Sequence, residues 1–311
     1  MQKARHDYIE LSFIYVTAIV TLLALSTIAS PVNTGHFGLI TPTQEKKEST
    51  STIYDIKAFD DIKVIAKSYV IYDIVDKRVI SSKNEDQILT LASLTKVMTA
   101  VTALTHNKPD TKITIDPKVI DGKYDLGLKK NQVWKLEELL KYTLVFSSND
   151  GAIEIANGLG GQKAFVEQMN NDAVLLGLKL HFNHPAGLDV GNLFGGEGTA
   201  LEVAKLFAIA RKRFPEILDA TTHDRVTVTA STGKITGVPN TNQEIEDLLG
   251  AEASKTGFTD NAGGNLAVVV DTTVGHPVVI VVLGSTREGR FSDISKLFKA
   301  LQKSIGKSVE K

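Results

Sequence analysis

Leu91-Ala92-Ser93-Leu94-Thr95-Lys96-Val97-Met98-Thr99 stands at the mouth of a segment whose apolar spacing reads as helix through Leu104. Residues three apart share a helix face, so the spacing predicts that the Ser93 hydroxyl and the Lys96 amine meet. The first turn of a helix also carries N–H groups without intrahelical partners and favours negative charge. A serine nucleophile needs a nearby base and donors aimed at the oxyanion that attack creates, and this stretch offers both. By itself a Ser-x-x-Lys is more often an exposed polar helix start. The chain holds others, among them Ser231-x-x-Lys234 and Ser304-x-x-Lys307, each with a glycine inside (Gly233, Gly306), and Ser231 follows a strand-like run at 226–229. Neither is suited to place its serine on the first turn of a buried helix.

The 311 residues are 42% hydrophobic and 23% charged, an ordinary globular composition. A net charge of −1 gives no electrostatic basis for nucleic acid binding. The chain has no cysteine, which excludes disulfides, thiolate zinc sites, a cysteine nucleophile and a lipidated N-terminal cysteine.

Residues 11–29 form a nineteen-residue apolar run broken only by Ser and Thr, about the length that spans a bilayer. Lys3 and Arg5 precede it, and the next basic residues are Lys46 and Lys47, which places the N-terminus inside and the bulk of the chain outside. Pro31 makes a cleavage site after Ala29 unattractive. The expected organisation is therefore a cytoplasmic segment at 1–10, a single-pass signal anchor at 11–30, a flexible linker rich in Thr, Ser, Gly and charge at 31–52, and one extracytoplasmic domain at 53–307.

Within that domain, β-rich runs at 68–74 and 78–82 flank Val75-Asp76-Lys77 as a hairpin. Helical spacing follows at 134–145, from Asp150 or Gly151 to Leu159, at 163–176 and at 199–214, the last ending at Pro215. Short strands are expected at 112–115 and 225–229. A second hairpin at 266–272 and 277–283 turns on Val274-Gly275-His276, and a helix over 292–305 closes the domain. Strands at both ends with helices between predict an α+β fold: one antiparallel sheet assembled from both chain ends, packed against helices, with a helical subregion.

Three polar signals stand in order: Ser93-x-x-Lys96, Ser147-x-Asn149 and Lys255-Thr256-Gly257. The order resembles that of the penicillin-binding and serine β-lactamase superfamily. The contexts Ala92-Ser93-Leu94-Thr95-Lys96, Ser147-Ser148-Asn149-Asp150 and Lys255-Thr256-Gly257-Phe258-Thr259-Asp260, followed by Ala262-Gly263-Gly264-Asn265-Leu266, resemble the low-molecular-mass D-alanyl-D-alanine carboxypeptidases over about 53–307. The resemblance implies a β-lactamase/transpeptidase-like fold and a serine peptidase acting on peptidoglycan stem peptides ending in D-Ala-D-Ala, with β-lactams as inhibitors and neither cofactor nor metal.

The resemblance also implies roles. Ser93 attacks the carbonyl between the two D-alanines, and Lys96 is its general base, a task that requires the neutral amine, which burial and a second cation (Lys255) favour. Ser147 passes a proton to the leaving amine, and Asn149 orients Lys96 and the substrate amide. Lys255 supplies positive potential, and Thr256 hydrogen-bonds the terminal carboxylate. Gly257 lets the strand approach substrate without a Cβ in the way. The backbone N–H groups of Ser93 and Phe258 form the oxyanion hole. The family's carboxylate-binding arginine matches Arg290 in Thr286-Arg287-Glu288-Gly289-Arg290-Phe291 better than Arg287, whose side chain is expected to face solvent.

Three positions depart from the family pattern: Ser148 for Gly, Asn131 for the Gly of a Leu-Lys-x-Gly turn, and His184 for the Asn common before Pro-x-Gly-Leu-Asp. Asn131 tolerates positive φ. The chain ends soon after the peptidase domain, so anchoring is expected to fall to the N-terminal helix rather than to a C-terminal β domain and amphipathic anchor.

Other chemistries fit less well. His181, His184 and Asp189 invite a zinc reading, but Pro185 and Gly187 disrupt a ligand-bearing helix and no further ligand is evident. Ser231-Thr232-Gly233-Lys234 is not a phosphate loop, because Ile235 sits where Ser or Thr is needed. A β-lactamase needs a base for rapid deacylation, and no loop between Asn149 and Lys255 supplies an assignable Glu. A non-catalytic binding module is expected to have lost Ser93, Lys96 or Lys255, and all three are present. Trimming a stem peptide and cutting a cross-link use the same residues, so a D,D-endopeptidase remains an alternative, beside a class A-like β-lactamase.

Overall fold

The computed structural model describes residues 53–116 and 128–305. The expected membrane anchor at 11–30 and the linker at 31–52 lie outside these residues. Among the described residues no helix is long and apolar enough to cross a membrane. In chain order the elements are β1 (Ser68–Asp73), β2 (Arg78–Lys83), β3 (Leu89–Thr90), α1 (Thr95–His106), β4 (Lys112–Thr114), β5 (Val133–Lys135), α2 (Leu136–Val145), α3 (Asn149–Gly158) and α4 (Gln162–Leu175). Then come β6 (His181–Phe182), β7 (Gly196–Gly198), α5 (Ala200–Arg213), α6 (Pro215–Asp219), β8 (Arg225–Ala230), β9 (Gly233–Pro239), β10 (Ala251–Thr259), β11 (Gly263–Asp271), β12 (Pro277–Ser285) and α7 (Gly289–Ser304).

Five strands form the main sheet in the order β10-β11-β12-β1-β2, with every neighbouring pair antiparallel. Strands from the two halves of the chain meet at β12–β1, where Val70 faces Val281 and Tyr72 faces Val279. The expected α+β fold, with a sheet built from both chain ends, is what forms. Its central strands are nearly continuous apolar runs because both faces are covered. Val70, Ala267, Val269, Val279 and Val281 pack towards the helical region. Ile71, Leu266, Val268, Ile280 and Val282 alternate with them and pack against Phe291, Ile294, Leu297 and Leu301 of α7. At about 25 cal/mol per Å² of apolar surface, these two layers supply the main favourable contribution to folding.

Polar ties fix the ends of this sandwich. The buried Asp293 carboxylate on α7 accepts from the Ile65 and Ala66 N–H groups at 2.9 and 2.8 Å and from Ser285 Oγ at 2.7 Å. Tyr54 pairs with Ile305, bringing the two ends of the described chain together.

Several boundaries moved for local reasons. The helix expected from Trp134 begins at Leu136, because Trp134 belongs to β5 and pairs with Ile113 and Ala230. The α5 helix ends before Pro215, as expected, but the proline then opens a second short helix, α6, as its first residue. Strand β9 and the three-stranded sheet β3-β7-β6 were not foreseen; β3 and β6 have two residues each, too short for a periodic signal.

Candidate active site

The chain reverses into the Ser93 turn at Ala92, whose φ of +49° is unusual for a residue with a Cβ and costs about 1–2 kcal/mol. Residues Ala92–Leu94 form a single 3-10 turn that runs directly into α1, so Ser93 lies just before the helix rather than within it. The Leu91 N–H donates to the Gly196 carbonyl at 2.8 Å, and Asn265, fully buried on β11, donates to Thr90 O at 2.9 Å. Both bonds fix the approach to the turn.

Lys96 is completely buried. Its Nζ lies 2.8 Å from each of Ser93 Oγ, Asn149 Oδ1 and the Ala186 carbonyl oxygen. The two carbonyl oxygens can only accept. A neutral amine has two N–H bonds and one lone pair, so once both donors serve Asn149 and Ala186 the lone pair faces Ser93. That is the geometry in which a lysine takes a proton from a serine hydroxyl.

The second motif lies on a turn between α2 and α3. Ser147 has φ +60°, another strained position, and Ser148 caps α3 by accepting from the Gly151 N–H at 2.7 Å. The serine that stands in place of a glycine is thus the helix N-cap. It starts α3 at Asn149 and so directs that side chain at Lys96.

The third motif lies on β10, the edge strand of the sheet. Lys255, 2% exposed, donates to Ser147 Oγ at 2.8 Å and to Thr256 O at 3.0 Å. Burial above all pushes its pKa well below the ordinary lysine value. Thr256 Oγ1 donates to Thr241 Oγ1 at 2.7 Å, a partner no motif signalled. A Cβ added at Gly257 would lie 2.9 Å from Leu91 O and 3.3 Å from both Ala92 Cβ and Ser93 N, so only glycine lets β10 touch the Ser93 turn.

Arg290, at the start of α7, is 8% exposed and donates through Nη1 to Gly257 O at 2.9 Å, while its Nε is buried without a partner. Burial, and then Arg287, push it down to about 10. Arg287 is exposed, as expected, and its guanidinium also lies over the Phe258 ring, 3.8 Å from the centroid. Both arginines therefore reach β10, one through the backbone and one through an aromatic face.

Ser231 and Ser304, which also open Ser-x-x-Lys motifs, have different partners. Ser231 Oγ accepts the Val133 N–H, and Ser304 Oγ donates to Leu301 O. Asn131 adopts φ +64°, as expected of the residue replacing glycine in its turn. His184 Nδ1 accepts the Ala186 N–H, and Asp189 accepts from Gly195 N and Asn261 Nδ2. Sequence reasoning had no means of finding Ala186, because it contributes a backbone carbonyl.

A buried lysine bridging a serine and an asparagine, with a second buried lysine on an adjoining strand, defines a serine acyl-transfer site. Residues 55–287 match the D-alanyl-D-alanine carboxypeptidase family (peptidase S11), and the chain belongs to it. It is a serine D,D-peptidase. The D-alanyl-D-alanine endopeptidase of Escherichia coli K12 is 32% identical over 245 residues, covering 76% of this chain and 76% of that protein. The D-alanyl-D-alanine carboxypeptidase DacD of the same organism is 30% identical over 76% of this chain and 63% of its own length. Among solved structures, ampicillin-bound penicillin-binding protein D2 of Listeria monocytogenes superposes with a TM-score of 0.68 at 28% identity, covering 78% of this chain and 99% of that one.

Proposed function

We propose that the protein trims peptidoglycan stem peptides as a D-alanyl-D-alanine carboxypeptidase, through an acyl-enzyme on Ser93. The observation that carries the reading is the threefold contact of Lys96 with Ser93, Asn149 and Ala186. In the forward step the Ser93 oxygen bonds to the carbonyl carbon of the penultimate D-alanine as its proton passes to Lys96. The carbonyl π electrons move to oxygen, which the N–H groups of Ser93 and Phe258 stabilise. The C–N bond then breaks, the nitrogen takes a proton through Ser147, and D-alanine leaves. Water attacks the ester, with Lys96 again receiving the proton, and returns Ser93 to its starting state. Thr256, Lys255 and Arg290 surround the substrate's terminal carboxylate. β-Lactams acylate the same serine and act as inhibitors.

The apolar run at 11–29, led by Lys3 and Arg5, supports a single-pass anchor in the cell membrane with the peptidase domain outside the cytoplasm.

A second reading, D,D-endopeptidase on cross-links, is favoured by the Escherichia coli relative of that name, which this chain matches over a larger share of its length than it does the carboxypeptidase DacD. Digestion of defined muropeptides separates the two. A pentapeptide stem losing one alanine supports the carboxypeptidase, whereas cross-linked dimers becoming monomers with pentapeptides untouched establishes the endopeptidase.

A further inference from the structure

The loop that supplies the Ala186 carbonyl has an internal device of its own. His184, Pro185, Ala186 and Gly187 form a tight turn closed by the Gly187 N–H donating to His184 O at 3.1 Å. The turn rests on the nucleophile: a Cβ at Gly187, whose φ is +73°, would lie 2.0 Å from Ala92 O. Two of its carbonyls accept from one face of α1, Pro185 O from Thr99 Oγ1 at 2.6 Å and Ala186 O from Lys96 Nζ at 2.8 Å. Thr99 and Lys96 are three residues apart, so the turn grips α1 at adjacent points of one stripe. Inside the turn, the half-buried His184 ring accepts the Ala186 N–H through Nδ1 at 3.1 Å.

We propose that His184 is a positioning residue for Lys96: by accepting the Ala186 N–H it sets the orientation of the peptide whose neighbouring carbonyl holds the amine against Ser93. This rests on the reading of Lys96 as general base. Burial pushes the imidazole down to about 4, so at neutral pH Nδ1 keeps the lone pair that accepts. An asparagine at this position reproduces the contact, since its side-chain oxygen accepts the N–H two residues on, as in an Asx turn. A side chain without an acceptor leaves that N–H unpaired and lets the turn rotate, and a displacement of about 1 Å in a positioned base lowers rate by about a hundredfold.

The test measures covalent acylation by a fluorescent penicillin, resolved into the dissociation constant of the first complex and the rate constant of acylation. His184→Leu is expected to lower the rate constant by about ten- to a hundredfold while the dissociation constant stays within about threefold. His184→Asn is expected to stay within about threefold of wild type in both. In a Lys96→Ala background, His184→Leu is expected to add nothing, because the group it positions is gone. Wild-type acylation by a folded His184→Leu, or an undiminished effect in the Lys96→Ala background, overturns the proposal. Wild-type acylation by Lys96→Ala overturns the general-base reading beneath it. Should His184→Leu not fold, His184→Asn is compared with His184→Gln, which moves the acceptor by one methylene. The proposal expects the Gln variant to be at least about tenfold slower, and equal rates overturn it.

Discussion

Lys255 Nζ donates to Ser147 Oγ across 2.8 Å, joining the edge strand of the sheet to the turn that begins α3. The lysine is buried, so its charged form is disfavoured. A carboxylate arriving beside it restores that charge, so an anionic ligand binds with proton uptake. The sign follows: affinity for a D-Ala-terminated peptide or a penicillin falls as pH rises through the Lys255 pKa, and the fall begins well below the ordinary lysine value. Arg290, titrating at about 10, weakens binding further at the alkaline end. Measuring the dissociation constant from pH 6 to 10 with the Ser93→Ala variant, which cannot be acylated at that position, checks this. A flat profile contradicts it.

Gly257→Ala tests the contact between β10 and the Ser93 turn. The added methyl meets a backbone oxygen at 2.9 Å and a backbone nitrogen at 3.3 Å, neither of which can rotate away. The expected result is a fall in acylation of at least about a hundredfold, from a shift of about half an ångström to one ångström at the nucleophile. Circular dichroism should remain that of the wild type. Acylation within about threefold of wild type would show that the strand and turn part easily.

Arg290→Ala removes the donor to Gly257 O and, on the proposed reading, a cation beside the substrate carboxylate. Cleavage of substrates ending in a free D-alanine should slow by about one to two powers of ten, since hydrogen bonds involving a charged group contribute about 1.5–3 kcal/mol. Because Arg287 stacks over Phe258, Arg287→Ala is expected to have a measurable but smaller effect, about two- to fivefold. Steady-state kinetics on a D-Ala-D-Ala tripeptide distinguishes the two. A silent Arg290→Ala beside a damaging Arg287→Ala would move the carboxylate site to the loop before α7.

The elements legible in the sequence were those whose periodicity is long or whose turns are marked. The hairpins at 75–77 and 274–276 and the helices from α1 to α5 fall close to where apolar spacing places them. Ser93 with Lys96, and Asn149 with Lys96, are hydrogen-bonded as their motifs suggest. Contributions from backbone and from tertiary pairing were invisible. Ala186 acts through its carbonyl and Thr241 through a hydroxyl in a loop without pattern. Ala92 and Ser147 hold positive φ that the surrounding packing imposes against their own preference. His184 departs from the family pattern in the sequence, but the hydrogen bond it makes inside its turn depends on how the loop folds back on itself.

The central claim is that Ser93 is the nucleophile, and intact-protein mass spectrometry after incubation with benzylpenicillin tests it most directly. The expected result is one added penicilloyl mass on the wild-type protein, mapped by peptide analysis to the segment containing Ser93, and no addition on Ser93→Ala. An adduct of equal yield on Ser93→Ala, or one lost instead in Ser231→Ala, would contradict it.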